Sequence, residues 1–385
     1  MSRRGSRRGD VPPFYVMEVL KAAARRQESH GDRILLCVGQ PATPAPAVVL
    51  DAARTALATD ALGYTEAVGT PALRTVIADH YADAYGIGVD PDEVIVTTGS
   101  SGGFLLALLA AFDAGDLVAM TRPGYPAYRN DVLALGCRVL DLDCSATRFQ
   151  PTVEQLAALP EKPAGVIVAS PANPTGTIID ALALERLANW CADHDVLLIS
   201  DEIYHGISFG RRCRSAWEFN RDALVVGSVS KYHSMTGWRL GWLLAPVNLH
   251  RRIELLQGNL AICAPAVSQA GATAAFTPAA AVELNGHVAR YAANRELLLR
   301  RLPELGITDF APPDGAFYAY CDVGHLTADS RSWCADLLAA TGVALAPGID
   351  FDVTGGHRFV RISFCGTTAE LDEGLDRLVD HLGRR

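Results

Sequence analysis

Lys231 is the residue best placed for covalent chemistry. It lies in Ser228-Val-Ser-Lys231-Tyr-His-Ser-Met-Thr-Gly237-Trp-Arg239-Leu-Gly-Trp242, directly after an apolar run. That puts it where the carboxyl end of a sheet meets a loop, the place where open α/β sheets receive ligands. Ser228 upstream and Arg239 eight residues downstream describe an amine beside an anion site. Desolvation and a neighbouring cation both lower an amine's pKa, supplying the neutral nucleophile that Schiff-base chemistry needs. The plainer alternative is an exposed lysine at a loop end. Asp201, in Ile199-Ser-Asp201-Glu-Ile-Tyr204, closes another apolar run. A carboxylate there is costly to bury without a cation. A protonated ring nitrogen is such a cation, and a carboxylate partner keeps it protonated so that the ring accepts electrons. Tyr204 could offer its hydroxyl to an oxygen of the same ring. Asp201 could equally cap a following helix.

Three further segments follow apolar runs. In Ala169-Ser-Pro171-Ala-Asn173-Pro174-Thr-Gly176, the proline holds Asn173 out of the helical region, although Asn-Pro alone marks a turn. In Thr97-Thr-Gly99-Ser100-Ser101-Gly102-Gly103-Phe104, Ser100 and Ser101 open a helix whose free N–H groups make a phosphate cradle. The same stretch satisfies G-x-S-x-G, which makes Ser101 a candidate hydrolase nucleophile with His325, His357 or His381 downstream as base. No HGGG-type segment precedes it. In Arg122-Pro-Gly-Tyr125-Pro-Ala-Tyr128, Tyr125 could stack on a planar ring. Arg361, inside the apolar run Phe359-Val-Arg361-Ile-Ser-Phe364, wants a carboxylate, either structural or a substrate's.

These residues need a scaffold. Runs at 93–97, 116–120, 138–142, 165–170, 196–200, 224–229 and 241–245 are rich in Val, Ile and Leu on both parities, as strands covered on both faces require. Helical patterns lie between them. Thr152 with Gln155 forms a capping box, and Thr70 before Pro71 is an N-cap with proline at the first helical position. This alternation predicts a mostly parallel sheet sandwiched by helices. Outside it, a helix near 14–27, a strand at 33–38, a helix around 281–302, strands at 315–323 and 358–364 and a last helix to about residue 382 predict an α+β unit built from both chain ends.

Composition sets limits. At about 150 residues per domain, 385 residues suggest two or three domains. The longest uncharged apolar run, Phe104 to Phe112, has nine residues, short of the roughly 18 a membrane helix needs. Four arginines in Met1 to Asp10 precede no apolar stretch, so no secretory leader is expected. A net charge of −9 disfavours a nucleic-acid partner. Nine cysteines with no Cys-x-x-Cys pair disfavour disulfide scaffolds and zinc ribbons and suit a reducing cytoplasm. No metal site is expected.

Asn173, Asp201, Lys231 and Arg239 form an ordered series with gaps of 28, 30 and 8 residues. With Ser-Lys-x5-Gly-Trp-Arg-x-Gly, Asn-Pro-Thr-Gly at Asn173–Gly176, Gly-Tyr-x4-Gly at Gly63–Gly69, Asp-Gly-Ala-Phe at Asp314–Phe317 and Val-Arg-Ile-Ser at Val360–Ser363, that series resembles the class I and II aminotransferases. These are pyridoxal-phosphate enzymes of fold type I, in the aspartate aminotransferase superfamily. Val38-Gly39-Gln-Pro-Ala-Thr-Pro is similar to the prokaryotic branch, and the resemblance runs from about residue 39 to 361. It displaces the hydrolase reading of Ser101.

The resemblance implies an α/β fold with a mostly parallel seven-stranded sheet. It implies a flexible tail at 1–12, an N-terminal segment at 13–46 joining the small domain, a large cofactor-binding domain at 47–280 and a small C-terminal domain at 281–385. Lys231, Asp201 and Tyr204 would be catalytic. Lys231 would hold pyridoxal 5′-phosphate through its amine and, once released, carry the proton between the substrate α-carbon and the cofactor. Asp201 would pair with the ring nitrogen, Tyr204 and Asn173 with the phenolic oxygen, and Tyr125 would stack on the ring. Ser100, Ser101, Ser228 and Arg239 would hold the phosphate, joined by Tyr64 from the partner of a homodimer. Gly39, Asn173 and Arg361 would bind the substrate α-carboxylate. The implied reaction moves an amino group between an apolar aliphatic or aromatic L-amino acid and pyruvate or 2-oxoglutarate. Aspartate as donor is the alternative, although no motif identifies a second arginine for its side chain. A C–S β-lyase on the same fold is another.

Overall fold

Apolar residues on both parities give strands with two buried faces, and the computed structural model, which describes residues 5–383, joins seven of them in one sheet. In chain order the strands are β1 (Ile34–Leu35), β2 (Val94–Thr97), β3 (Leu117–Arg122), β4 (Arg138–Asp143), β5 (Gly165–Ala169), β6 (Leu197–Asp201), β7 (Leu224–Ser228), β8 (Gly241–Leu244), β9 (Tyr318–Asp322), β10 (Val343–Ala344), β11 (Ala346–Pro347) and β12 (Phe359–Ser363). The large sheet runs β2-β8-β7-β6-β5-β3-β4. β8 is antiparallel to both neighbours, and every other pairing in that sheet is parallel.

Alternate residues of each strand feed separate cores, as the two-residue period demands. Ile95, Ile167, Ile199 and Val226 pack on one face with Phe104, Leu106 and Leu108. Val96, Val166, Val168, Leu198 and Val225 pack on the other with Leu73, Ile77, Leu184 and Leu187. The first helices are α1 (Tyr15–His30), α2 (Ala47–Thr59), α3 (Pro71–Tyr85), α4 (Gly99–Ala111) and α5 (Pro126–Ala134). Phe104, Leu106, Ala107, Leu108 and Ala110 of α4 are all buried, which fits a helix with no polar face.

A third core gathers Ile34 and Leu36 from one end of the chain with Phe317, Val343, Ile362, Phe364 and Leu375 from the other. It carries the antiparallel sheet β11-β12-β9 and the parallel pair β1-β10.

Several expected boundaries shift, each for a local reason. Glu93 closes a capping box with Asp90, so β2 starts at Val94. β6 extends to Asp201, which pairs in register with Ala169. The strand expected at 33–38 shrinks to β1 because the carbonyls beyond it are used elsewhere: Leu36 O accepts from Ser363 N at 2.7 Å and Cys37 O from Arg361 at 2.6 Å. β10 and β11, two residues each, have no period to read from sequence. The helix expected near 14–27 runs on to His30, where Gly31 at φ 73° ends it. The Thr152 capping box forms, whereas the Thr70 side chain makes no cap bond and its N–H donates to Gln269 Oε1 at 2.8 Å. Of the expected tail, residues 1–4 lie outside the described residues; Pro12 O accepts from Asn130 Nδ2 at 3.3 Å.

Candidate active site

The carboxyl ends of the parallel strands converge on one crevice, and the reversed β8 delivers its starting end there too. β2 leads through Gly99, at φ +70°, into the N-terminus of α4, where Ser100 and Ser101 stand. Arg239, just before β8, is itself left-handed at φ 52° and reaches this turn. A Cβ on Gly99 would lie 2.5 Å from Arg239 Nη2, so only glycine admits the guanidinium here. Arg239 Nη1 donates to Thr236 O at 3.0 Å. Its other N–H groups find no acceptor among the described residues. A helix start, hydroxyls and an under-used guanidinium form an anion cradle.

Asp201 lies at the buried end of the crevice. Ile203 N–H donates to its Oδ1 at 3.1 Å and the Tyr128 hydroxyl donates to its Oδ2. Burial raises its pKa to about 6, opposed by Tyr128, the Ile203 amide and the charge of Lys231. Tyr128 rests on Phe104 with ring centroids 4.9 Å apart, and Tyr125 meets Phe14 edge-on at 5.8 Å.

Lys231 Nζ donates to Gly39 O at 2.8 Å and sits 5.6 Å from the centre of the Tyr204 ring. Desolvation lowers its pKa to about 8; Cys365 and Asp201 act against that shift, and Arg361 and Arg239 act with it. The Tyr204 and Tyr318 hydroxyls are 2.7 Å apart. Burial holds the Tyr204 phenol well above its ordinary pKa, so it stays neutral. A Cβ on Gly39 would collide with the Tyr318 hydroxyl, which explains the glycine.

Arg361 donates from Nη1 to Asn173 Oδ1 at 2.6 Å and from Nη2 to Cys37 O at 2.6 Å. Its guanidinium lies 4.2 Å from the centre of the Tyr318 ring and 4.7 Å from that of Phe351. Its buried Nε has no partner, and among the described residues it makes no ion pair. A buried cation held only by neutral acceptors is incomplete without an anion. This removes the structural salt bridge as an account of Arg361.

A cavity of about 350 Å³ is lined by Gly39, Ser100, Ser101, Tyr125, Asn173, Asp201, Tyr204, Lys231, Arg239 and Arg361. Two expected residues are not on its wall. Ser228 Oγ lies 2.8 Å from Ser230 Oγ and accepts from Ser230 N–H at 3.1 Å; Ser230 lines the cavity in its place. Tyr64 is 83% exposed and stands outside it on its own chain. No histidine lines the cavity, so none of His325, His357 and His381 serves Ser101 as base there. Tyr128, Tyr318, Asp131 and an apolar wall of Phe14, Val16, Met17 and Leu20 also line the cavity, outside the residues that the motifs predict. Tyr128 has a legible signal, since it follows Tyr125 by three positions at a helix start. The donor set fits a group with a phosphate at one end and a protonatable ring nitrogen at the other, beside a nucleophilic amine.

Comparisons with known proteins agree. The family model described as aminotransferase class I and II matches residues 31–378. The valine–pyruvate aminotransferase of Mycobacterium tuberculosis is 54% identical over 381 residues, 98% of each chain. The aspartate aminotransferase of Thermotoga maritima is 31% identical over 100% of each. Among solved structures, an aminotransferase from Mycobacterium tuberculosis superposes with a TM-score of 0.98 at 53% identity over 100% of both chains. The Thermus thermophilus aspartate aminotransferase with maleate gives 0.93 at 29% identity, covering 98% of this chain and 100% of that one. With strand ends, amine, buried carboxylate and unneutralised arginine in one crevice, the chain belongs to the class I and II aminotransferases of fold type I and is an aminotransferase.

Proposed function

We propose that the protein uses pyridoxal 5′-phosphate to move the amino group of a small apolar L-amino acid to pyruvate. The observation that carries this is one cavity holding a desolvated amine at Lys231 and an unneutralised guanidinium at Arg361. When bound, the cofactor supplies an electron sink for charge developing at the substrate α-carbon. Lys231 holds the cofactor through its amine nitrogen; when free, with a pKa of about 8, it can take a proton from the α-carbon near neutral pH and give it back. Asp201, ionised, holds the ring N–H, and Tyr128 keeps that carboxylate oriented. Tyr204 and Asn173 would donate to the ring's phenolic oxygen, and Tyr125 would pack on the ring. Ser100, Ser101 and Arg239 bind the phosphate, with Ser228 acting from beneath through Ser230. Arg361, with Asn173 and the Gly39 backbone, binds the α-carboxylate.

The substrate class rests on the wall of the cavity and on a relative. Phe14, Val16, Met17, Leu20 and Val38 offer the side chain an apolar surface, and the cations of the lining are Lys231, Arg239 and Arg361. All three already have tasks, so on this chain the second carboxylate of aspartate or 2-oxoglutarate finds no cationic partner. The Mycobacterium tuberculosis relative is named for valine and pyruvate.

The working unit is a homodimer in which Tyr64 serves the partner's phosphate. In support, Tyr64 is exposed on its own chain, as are the apolar side chains of Leu57, Leu260 and Ile262, and a Cβ added to Gly258 would lie 3.7 Å from Ala67 Cβ in the Tyr64 loop. Nine unpaired thiols suit a reducing, cytoplasmic setting.

The test is one equivalent of L-valine added to the purified, coloured protein. The visible band should bleach with release of one equivalent of 2-oxo acid, and pyruvate should restore it with formation of alanine. An unbleached band with valine, together with release of ammonia and pyruvate from L-cystathionine, whose β-carbon carries a thiolate leaving group, indicates a lyase and overturns the proposal.

A further inference from the structure

Asp131 stands on α5 one turn after Tyr128, and it lines the same cavity. None of the proposed steps uses it. Among the described residues its carboxylate receives no hydrogen bond and no ion pair; burial alone acts on it and raises its pKa to about 6. It is therefore ionised at neutral pH, with no counter-charge. Its field reaches the hydroxyl of Tyr125, whose ring packs on Phe14 from α1, the helix that supplies the apolar wall. An unpaired anion on the wall of a cavity whose cations are all committed has one evident consequence. Asp131 is partly buried, and repulsion between like charges strengthens as a ligand displaces water from between them, so rejecting the wrong ligand this way takes one group.

We propose that Asp131 is a specificity-determining residue that excludes substrates carrying a second carboxylate, so that aliphatic amino acids and pyruvate are accepted while glutamate, aspartate and 2-oxoglutarate are turned away. This rests on the transamination proposed above and deepens it by assigning the discrimination to one side chain. The absence of a second arginine merely withholds attraction from a dicarboxylate, whereas Asp131 adds opposition.

Glutamate and glutamine have nearly the same shape and differ in charge, so the ratio of their kcat/KM values isolates the electrostatic part. The holoenzyme and its Asp131→Asn and Asp131→Ser variants are compared on this pair. In parallel, the cofactor's visible spectrum is titrated with maleate, a dicarboxylate that cannot react, and with isovalerate, a monocarboxylate. The native enzyme should prefer glutamine by about tenfold or more, and either variant should raise the glutamate-to-glutamine ratio by about tenfold. The Kd for maleate should fall by a similar factor relative to that for isovalerate. A role limited to packing moves both members of each pair together, and unchanged ratios overturn the proposal. Equal use of glutamate and glutamine by the native enzyme overturns it without any variant. Failure of the native enzyme to transaminate valine or alanine overturns instead the reaction on which it rests.

Discussion

At the scale of single residues, the site works by placing charges where they are incomplete. Asp201 is buried at the end of a strand, and a hydroxyl and an amide, both neutral donors, hold its two oxygens. Removing the Tyr128 hydroxyl takes away a bond that stabilises the ionised form, so the Asp201 pKa must rise above its value of about 6. Activity that needs ionised Asp201 is then lost at higher pH as the solution is acidified. In Tyr128→Phe the acid limb of kcat/KM against pH should move up by about one unit, the size expected for a hydrogen bond to a charge. An unmoved limb would show that Tyr128 only packs. Lys231 makes a sharper case. Lys231→Ala should still bind pyridoxal phosphate, seen by absorbance, yet lose turnover by at least about 10²-fold, the smallest usual contribution of a positioned acid–base group. Turnover at the native rate would refute its assignment.

At the scale of elements, α1 is held from a distance. Phe14 occupies its N-cap position and offers no side-chain acceptor. Instead Asp350, from the turn before β12, accepts from Tyr15 N–H at 2.9 Å and Val16 N–H at 3.0 Å. This turn also carries Phe351, whose ring lies under the Arg361 guanidinium. One short segment thus anchors both the helix that walls the cavity and a ring beneath its unneutralised arginine. Replacing a capping side chain by alanine typically costs about 1 kcal/mol. In Asp350→Ala, amide exchange over residues 15–20 should accelerate about fivefold, and KM for valine should rise while kcat changes less. Exchange that stays at native rates would mean that α1 is held by its apolar face alone.

At the scale of the whole molecule, a site shared between two copies makes a statistical prediction. If Tyr64 completes the partner's phosphate site, the Tyr64→Ala and Lys231→Ala proteins are each defective, yet a mixed dimer contains one intact centre. Co-refolding an equimolar mixture should give half mixed dimers with one of two sites whole, so activity recovers to about a quarter of native. No recovery beyond that of the Tyr64→Ala protein alone would place Tyr64 outside the site. The apolar side chains of Leu57, Leu260 and Ile262, exposed on one chain, lead to the same expectation of a covered surface.

Much of this was legible in the order of residues. Strands buried on both faces need apolar residues at every position, so β3, β5, β6 and β7 announce themselves, and chemistry that follows such a run must lie at the sheet's edge. Asn173, Asp201 and Lys231 could be named on that ground, because ligand sites at strand ends follow from topology, and Arg361 could be named as a cation inside an apolar run. The sequence alone could not show who meets whom. β8 reverses, and only that reversal carries Arg239 back to the turn at Gly99. Ser228 and Ser230, two residues apart, divide between the layer beneath and the wall, with the Ser230 N–H donating to the Ser228 hydroxyl in a bond that no motif encodes. Tyr128 reaches Asp201 across 73 positions, and Asp350 reaches α1 across more than 330. Periodicity records which face of an element is buried, whereas the partner of a buried polar group is settled only when distant elements pack and its hydrogen bonds must be satisfied.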